Sequence, residues 1–343
     1  MSDVVTDYLL TLSEGQTLNE AEAYTLMDGI MSGIVSPIQL AGVLMALRVR
    51  GETIDELTGF ARAMRDHAIK VPVTRRPILD TCGTGGDRSM SFNVSTVSAF
   101  VVAGAGIAVA KHGNRSATSK SGSADLLEAL GVPISLDPAS VARSVDEIGF
   151  GFLFAQSVHT SMKFAAQTRR ELGVRTVFNV LGPLTNPVNP ECQLLGVFSP
   201  SWVEPITQVL AKLETDHAIV VHGEGGIDEV SLSGPTQFGR VNRGEVTFGE
   251  FSPEDLGLPR YPKQAIVGGD PIVNATICRR VLQGQPGAYL DSVLANAGVA
   301  LFAARAVNSM KMGVDLAREV IRQGQAWEVL QQLTEPHTLA QEL

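Results

Sequence analysis

The sequence predicts an α/β protein in which a small helical domain precedes a larger domain built on a mostly parallel central sheet. Residues 1–70 show helical periodicity without any strand-like alternation. After residue 77, short apolar runs alternate with helical segments, a pattern typical of βαβ units. Two loops rich in glycine, serine and basic residues each follow one of these apolar runs. We therefore place the domain boundary near residue 70, with residues 71–343 forming the α/β domain.

Helix signals recur within residues 1–70. Pro37 follows a serine and suits the first turn of a helix over 39–48. Thr53 and Glu56 have the spacing of a capping box for a helix over 56–68.

The helical region carries many leucines, more apolar surface than so small a unit easily hides. They either build a subunit interface or pack only against each other, and the sequence leaves both possibilities open. The leucines in question are Leu9, Leu10, Leu18, Leu40 and Leu44.

The remaining elements follow in order behind a proline- and arginine-containing linker at 71–77. Residues 158–186 interrupt the alternation with a helix and a proline-bounded loop, and the tail from 292 to 333 is helical. The predicted strands are 78–80, 107–110, 197–198 and 218–221, and the predicted helices are 95–103, 124–130 and 202–213.

Composition excludes several classes of function. The formal net charge is −9, which disfavours nucleic acid as a main ligand. The three cysteines form no C-x-x-C pair, which fits a reducing compartment, and Cys82 is expected to be a small buried residue at a strand end. The first ten residues lack a basic signal-peptide region, and the longest apolar stretch, 100–110, is too short to span a bilayer. We expect a soluble, cytoplasmic protein without a membrane partner.

The first loop follows the strand at 78–80. Its glycines at 83, 85 and 86 let backbone N–H groups approach a ligand closely. Arg88 breaks the G-x-G-x-x-G fingerprint, and no P-loop motif occurs. The polar residues Asn93, Ser95 and Thr96 then lie at a predicted helix N-terminus, which favours a phosphate site.

The second loop follows the strand at 107–110 and supplies positive charge. A polar cluster then precedes the helix at 124–130, as expected of an anion site. His112 either positions a substrate or is an ordinary loop histidine. The candidate residues are Lys111, His112, Gly113, Asn114, Arg115, Ser119 and Ser123.

Two further segments carry charge. Asp228 and Glu229 are adjacent carboxylates on a glycine-rich loop after the strand at 218–221, and oxygen ligands of this kind suit Mg²⁺ beside phosphates. Arg169 and Arg170 end a helix, where an arginine can hold a carboxylate in a fork.

In order and spacing, six segments together resemble the anthranilate phosphoribosyltransferase family, over about residues 8–333. They are Gly83-Thr84-Gly85-Gly86-Asp87, Asn93-Val94-Ser95-Thr96, Lys111-His112-Gly113-Asn114-Arg115, Ser119-Lys120-Ser121-Gly122-Ser123-Ala124-Asp125, the segment from Phe178 to Pro187, and Asp228-Glu229. One departure is slight: Gly226-Ile227 precedes Asp228, where the family often has Asp-Gly-Leu.

The resemblance implies the fold shared with nucleoside phosphorylases, with the helical domain joined in space by a segment near 165–190 and forming a homodimer. It implies transfer of phosphoribose from phosphoribosyl diphosphate to the amino group of anthranilate, in tryptophan biosynthesis, with two Mg²⁺ ions per site.

The resemblance also implies residue roles. Phosphoribosyl diphosphate would contact Gly83, Gly86, Asp87, Ser91, Asn93, Ser95, Thr96, Lys111 and Ser123. Ser95 would ligate one Mg²⁺, and Asp228 with Glu229 the other. Anthranilate would contact Gly83, Asn114 and Arg169. With His112, the residues Lys111, Asn114 and Arg169 are our catalytic candidates.

Two alternatives differ in recognisable features. A pyrimidine nucleoside phosphorylase of the same fold would carry a Lys-x-Ser-x-Arg phosphate segment, which we do not find. A non-catalytic relative that binds nucleic acid would lose the acidic pair or gain basic charge, whereas this chain keeps Asp228 and Glu229.

Overall fold

The computed structural model describes residues 2–86, 89–116 and 120–335. Its helices are α1 (Ser2–Ser13), α2 (Glu20–Met31), α3 (Pro37–Arg50), α4 (Ile54–Asp66), α5 (Val94–Gly104), α6 (Ser123–Leu130), α7 (Pro138–Arg143), α8 (Ala155–Val158), α9 (Lys163–Leu172), α10 (Phe178–Leu181), α11 (Val203–Lys212), α12 (Pro271–Leu282), α13 (Ala288–Ala303), α14 (Met310–Arg322) and α15 (Gln325–Thr334). Its strands are β1 (Ile78–Gly83), β2 (Ala108–Gly113), β3 (Phe150–Phe154), β4 (Cys192–Gly196), β5 (His217–Gly223), β6 (Thr236–Asn242) and β7 (Glu245–Phe251).

Helices α2, α3 and α4 each begin at a local capping signal. Asn19, Ser36 and Thr53 each accept a hydrogen bond from the backbone of the third helical residue and form capping boxes ahead of α2, α3 and α4. Pro37 occupies the first turn of α3, as predicted. The buried Glu56 in the last box also accepts the backbone N–H of Leu18 at 3.0 Å, which ties α4 to the start of α2.

The leucines of the helical region divide between core and surface. Leu18, Leu40 and Leu44 are 1–2% exposed and pack inside, the second of the two possibilities that the sequence leaves open. Leu10 is 57% exposed. Two further apolar side chains project from α3, since Ile38 is 85% and Val49 is 82% exposed.

A later segment of the chain packs against the helical region. Helix α9 contacts α2 and α3, where the ring of Phe164 lies against Gly33. Arg65 of α4 donates from Nε to the carbonyl oxygen of Leu184 at 2.8 Å.

One seven-stranded sheet organises the larger part of the molecule, with strand order β3-β2-β1-β4-β5-β6-β7. The first five strands are parallel, and β6 and β7 add an antiparallel hairpin. This confirms the predicted fold class. Chain order reverses between β1 and β4, and such a switch point opens a crevice at the carboxyl ends of the strands.

Several elements differ from the sequence prediction. The predicted strand at 197–198 is wrong, because the strand is Cys192–Gly196 and residues 197–198 follow it. The polar Gln193 interrupts the apolar pattern of that strand, so the strand was not predicted. In the fold its amide is buried and donates to the carbonyl oxygen of Pro183 at 2.7 Å. Strands β3, β6 and β7 and helix α12 were not predicted. Among the described residues, no helix is long and apolar enough to cross a membrane.

Candidate active site

The glycine loop lies at the switch point between β1 and β4. The Thr84 N–H donates to the carbonyl oxygen of Gly196 at the end of β4, at 2.9 Å. Gly85 and Gly86 have φ values of +67° and +73°, which favour glycine. Any Cβ at Gly83 would collide with the carboxylate of Asp228, so this position also requires glycine.

Asp228 and Glu229 reach the site from the loop after β5. Asp228 is buried, and its Oδ2 accepts the Gly85 N–H at 2.7 Å. Glu229 Oε1 accepts the backbone N–H of Ser95, in the first turn of α5, at 3.2 Å. The acidic pair is therefore attached to both the glycine loop and the helix that follows it.

Lys111 brings a buried cation to the same place. It lies within β2, which continues three residues beyond the predicted strand, is 2% exposed, and donates from Nζ to Ser95 Oγ at 3.3 Å and to the carbonyl oxygen of Thr81. Burial lowers the pKa of Lys111, and the opposing attraction of Asp80 raises it. Burial in turn raises the pKa of Asp80 to about 6. An ammonium has three N–H donors, so two protein partners leave one for a ligand.

The start of α5 gathers the polar residues predicted from the first loop. The Ser91 backbone bridges to Val267, and its hydroxyl lies 2.9 Å from Ser89 Oγ. Thr96 Oγ1 is buried and has no partner among the described residues. Asn93 is held on two sides, by Ser121 and by Asn274 of α12.

The second loop folds over the N-terminus of α6. The carbonyl oxygen of Asn114 accepts the Ala124 N–H at 3.2 Å and the Ser123 hydroxyl at 3.3 Å. A Cβ at Gly113 would meet the side chains of Ser123 and Phe152. The predicted residues Asp87 and Ser119 lie outside the described residues.

Arg115 has its charge already compensated by protein carboxylates. Its guanidinium pairs with Asp125 and Glu128 of α6, each at 2.9 Å, and lies 6.0 Å from the Phe154 ring centroid. This environment favours a role in holding the second loop against α6.

His112 faces a second histidine that the sequence analysis did not identify. The rings of His112 and His159 have centroids 5.0 Å apart, and both Nε2 atoms are buried without a partner among the described residues. Burial lowers the pKa of His112 to about 3 and that of His159 to about 4, so both rings are neutral near pH 7.

Adjacent arginines at the end of α9 lie in different environments. The guanidinium of Arg169 lies 5.0 Å from the Phe178 ring centroid, and burial lowers the pKa of Arg169. Within the described part of the chain Arg169 forms no ion pair, and Arg170 is exposed. Phe178 begins the short helix α10, which leads to the Gly182 backbone beside His112.

Arg175 is a second residue that sequence reasoning missed. Its guanidinium donates to the carbonyl oxygen of Gly86 and lies 4.4 Å from the Phe198 ring centroid. It thus supports the glycine loop from the segment between α9 and α10. Arg175 and His159 lie outside the six recognised segments, and their sequence neighbours gave no signal.

The donor set at the switch point suits a hard cation. Asp228, Glu229 and the Ser95 hydroxyl supply only oxygen, which Mg²⁺ prefers. The described residues contain no cluster of three or more His, Cys, Asp or Glu side chains arranged as a metal site. A cation here would therefore depend on ligand oxygens as well as on the protein, as is usual for Mg²⁺ bound with phosphates.

Comparison with known proteins gives consistent results over nearly the whole chain. Two family profiles match, described as "Glycosyl transferase family, helical bundle domain" over residues 6–68 and "Glycosyl transferase family, a/b domain" over residues 75–327. The anthranilate phosphoribosyltransferase of Symbiobacterium thermophilum is 51% identical over 95% of this chain and 96% of its own length.

Solved structures agree. The anthranilate phosphoribosyltransferase of Thermus thermophilus has a TM-score of 0.91 and 47% identity, covering 95% of this chain and 98% of that one. The Saccharomyces cerevisiae enzyme in complex with PRPP and Mg has a TM-score of 0.88 and 28% identity, covering 99% and 98%. Its complex with 4-fluoroanthranilate has a TM-score of 0.87 and 26% identity, covering 97% of each chain. The chain belongs to the anthranilate phosphoribosyltransferase family.

Proposed function

We propose that the chain transfers the 5-phosphoribosyl group from phosphoribosyl diphosphate to the amino group of anthranilate, releasing diphosphate, with Mg²⁺, in tryptophan biosynthesis. The main support for this reaction is that four features meet at one switch point of the sheet: the glycine loop, Lys111, Ser95 and the Asp228–Glu229 pair. The relative from Saccharomyces cerevisiae binds PRPP and Mg, which supports the assignment.

The phosphate end of the site carries most of the positive and N–H donor groups. Lys111 retains one donor beyond its two partners among the described residues, and the N-terminus of α5 adds the partial positive charge of its helix dipole. As the bond to diphosphate breaks, negative charge grows on the leaving oxygens, and a fixed ammonium stabilises it without reorganisation. The remaining predicted contacts are Gly83, Gly86, Asp87, Ser91, Asn93, Thr96, Gly113, Ser119 and Ser123.

Magnesium fits the acidic side of the site. We assign one ion to Ser95 and a second to Asp228 with Glu229. When bound, Mg²⁺ would neutralise part of the diphosphate charge. The protein's own part is to hold both carboxylates in place, which it does through the N–H groups of Gly85 and Ser95 at 2.7 and 3.2 Å.

The end of the site that would hold anthranilate needs a cationic partner for the carboxylate of that substrate. Arg169 is half-buried and has no carboxylate partner among the described residues, which makes it the better candidate of the two adjacent arginines. Asn114 and Gly83 are assigned to the same substrate. The arylamine is already a neutral nucleophile, so positioning accounts for most of the protein's task.

His112 suits the acceptor side because it is neutral. Positive charge develops on the ribosyl carbon as diphosphate departs, and a second cation there would oppose it. With its pKa lowered to about 3, His112 adds no such charge, and its Nε2, buried and without a partner among the described residues, is the atom that we assign to a hydrogen bond with anthranilate.

We also propose a homodimer formed through the helical domain, residues 1–70 together with the segment near 165–190. Ile38, Met45 and Val49 lie on one stripe of α3 and are 85%, 37% and 82% exposed. Leu10, on the neighbouring helix α1, is a further exposed apolar side chain. A cytoplasmic location belongs to the same proposal, and the buried, unpaired cysteines agree with it.

Loss of anthranilate fluorescence tests the reaction. The purified chain, given phosphoribosyl diphosphate and Mg²⁺, is expected to consume anthranilate, with no loss when either addition is omitted. Phosphorolysis of thymidine under the same conditions, with anthranilate untouched, would instead identify a nucleoside phosphorylase.

A further inference from the structure

A chain of side-chain hydrogen bonds connects the two phosphate-binding loops to a helix far away in sequence. Asn274 of α12 is 2% exposed, and its Nδ2 donates to Asn93 Oδ1 at 2.9 Å. Asn93 Nδ2 then donates to the carbonyl oxygen of Ser121 at 3.0 Å. At the other end, Asn274 Oδ1 accepts the Gly269 N–H at 2.8 Å.

The two ends of this chain fix its direction. A backbone N–H can only donate, so Gly269 requires an acceptor, which is the oxygen of Asn274. A backbone carbonyl can only accept, so Ser121 requires a donor, which is the nitrogen of Asn93. Between them the two amides have one arrangement that satisfies both. The Asn93 amide therefore has a defined orientation, in which Oδ1 accepts from Asn274 and from the Ser121 hydroxyl and Nδ2 donates to the Ser121 carbonyl oxygen.

The backbone beside Asn274 holds the same segment. The Phe92 N–H donates to the carbonyl oxygen of Ile266 at 3.1 Å, and the Gly268 N–H donates to the carbonyl oxygen of Met90 at 2.8 Å. A Cβ at Gly268 would lie 2.7 Å from Phe92 Cα, so the two chain segments are in direct contact. Residues 266–269 thus support residues 90–93 immediately before α5.

The side chain of Asn274 acts on the assigned groups through Asn93, and the backbone of this support also bridges Ser91 at Val267. Resting on the function proposed above, we propose that Asn274 is a positioning residue for phosphoribosyl diphosphate. It fixes the orientation of the Asn93 amide and the spacing between the first and second loops. Arg169, the residue assigned to the anthranilate carboxylate, lies on the separate helix α9.

Two variants separate positioning from charge. Asn274→Ala removes both hydrogen bonds. Asn274→Asp keeps the acceptor for Gly269 and the volume but cannot donate to Asn93, and it adds a negative charge. Thr276→Ala is the matched control, because Thr276 is on the same helix, is exposed, and donates its hydroxyl to the Ile272 carbonyl oxygen within that helix.

We would measure KM for both substrates, and binding of phosphoribosyl diphosphate with Mg²⁺ by calorimetry. Both Asn274 variants are expected to weaken the binding of phosphoribosyl diphosphate roughly five- to tenfold, because one buried hydrogen bond is lost. The anthranilate KM should stay within about twofold of the wild-type value. Raising the salt should leave the Asn274→Ala effect unchanged, and Thr276→Ala should match the wild type.

Three results would overturn the inference. One is that folded variants bind both substrates equally more weakly. Another is that only Asn274→Asp binds phosphoribosyl diphosphate more weakly, because that result would be an effect of the added charge. The third is failure of both variants to fold, which would assign Asn274 to stability only. A wild-type chain that neither binds phosphoribosyl diphosphate nor consumes anthranilate would refute the proposed function itself, before any variant is compared.

Discussion

At the scale of single residues, the contrast between Arg169 and Arg170 shows what the sequence leaves undecided. Both end α9, yet one guanidinium lies over Phe178 and the other is exposed. The residue pattern alone does not say which arginine turns inward, whereas the family resemblance favours Arg169. That choice depends on α10, whose approach is set by the tertiary fold.

Replacing Arg169 with Ala should therefore affect one substrate. A charge-assisted pair with a carboxylate is worth about 1.5–3 kcal/mol, so the anthranilate KM should rise roughly ten- to a hundredfold. The phosphoribosyl diphosphate KM should change much less. Steady-state kinetics with each substrate varied in turn measures both values.

Arg170→Ala is the control and should behave as the wild type. Lys111→Ala should show the opposite bias, weakening phosphoribosyl diphosphate more than anthranilate. Equal weakening of both substrates by Arg169→Ala would show that the division of the site is wrong.

The histidine pair predicts a pH dependence of stability. The pKa of His159 falls from 6.5 in the unfolded chain to about 4 in the fold, and that of His112 to about 3. Below pH 6.5 the unfolded chain binds more protons, so the free energy of unfolding decreases as the pH falls, by about 1.4 kcal/mol per unit for each histidine. Asp80 has the opposite effect on the free energy of unfolding between pH 3.8 and about pH 6, because its pKa is raised in the fold and the folded state binds the extra proton there.

His159→Phe isolates one contribution. It should remove about 1.4 kcal/mol per pH unit from the slope between pH 6.5 and about 4, as measured by urea unfolding at a series of pH values. An unchanged slope in that interval would mean that His159 titrates normally in the folded protein.

At the scale of elements, the sequence predicted what local signals determine. Strands β1 and β2, helices α5 and α6, and the glycine loops were found because apolar runs, caps and glycines lie close together in the chain. Strands β6 and β7 were missed because an edge hairpin with one solvent-facing side has few apolar residues. The Asn93–Asn274 contact joins residues 181 apart, and no local pattern encodes it.

The loop after β5 gives a prediction at this scale. Replacing Asp228 with Ala and Glu229 with Gln together should collapse turnover and raise the Mg²⁺ concentration needed, because both assigned carboxylate ligands are lost. Activity measured across a Mg²⁺ titration tests this, with circular dichroism to verify the fold. Glu224→Gln, an exposed carboxylate on the same loop, is the control. Unaltered Mg²⁺ dependence in the double variant would exclude these residues as ligands.

At the scale of the whole molecule, the site is assembled from segments that the sheet order brings together. The first loop, the second loop and the acidic pair follow β1, β2 and β5, and the reversal between β1 and β4 places the loops at one edge. The position of this edge was predictable from the alternation of strands and helices. The outward face of the helical region was not, because Leu18 and Ile38 look alike in sequence and differ only in what covers them.

The exposed stripe on α3 predicts a dimer. Light scattering should give about twice the chain mass of 36.4 kDa, since Ile38 and Val49 leave large apolar side chains in water unless a second copy covers them. Ile38→Glu with Val49→Glu should yield monomers, because two carboxylates would be buried without partners. Ile272→Glu, at an equally exposed position on α12, should remain dimeric. A wild-type monomer at micromolar concentration would show that no such interface forms. A dimer that survives the double substitution would show that the interface lies elsewhere.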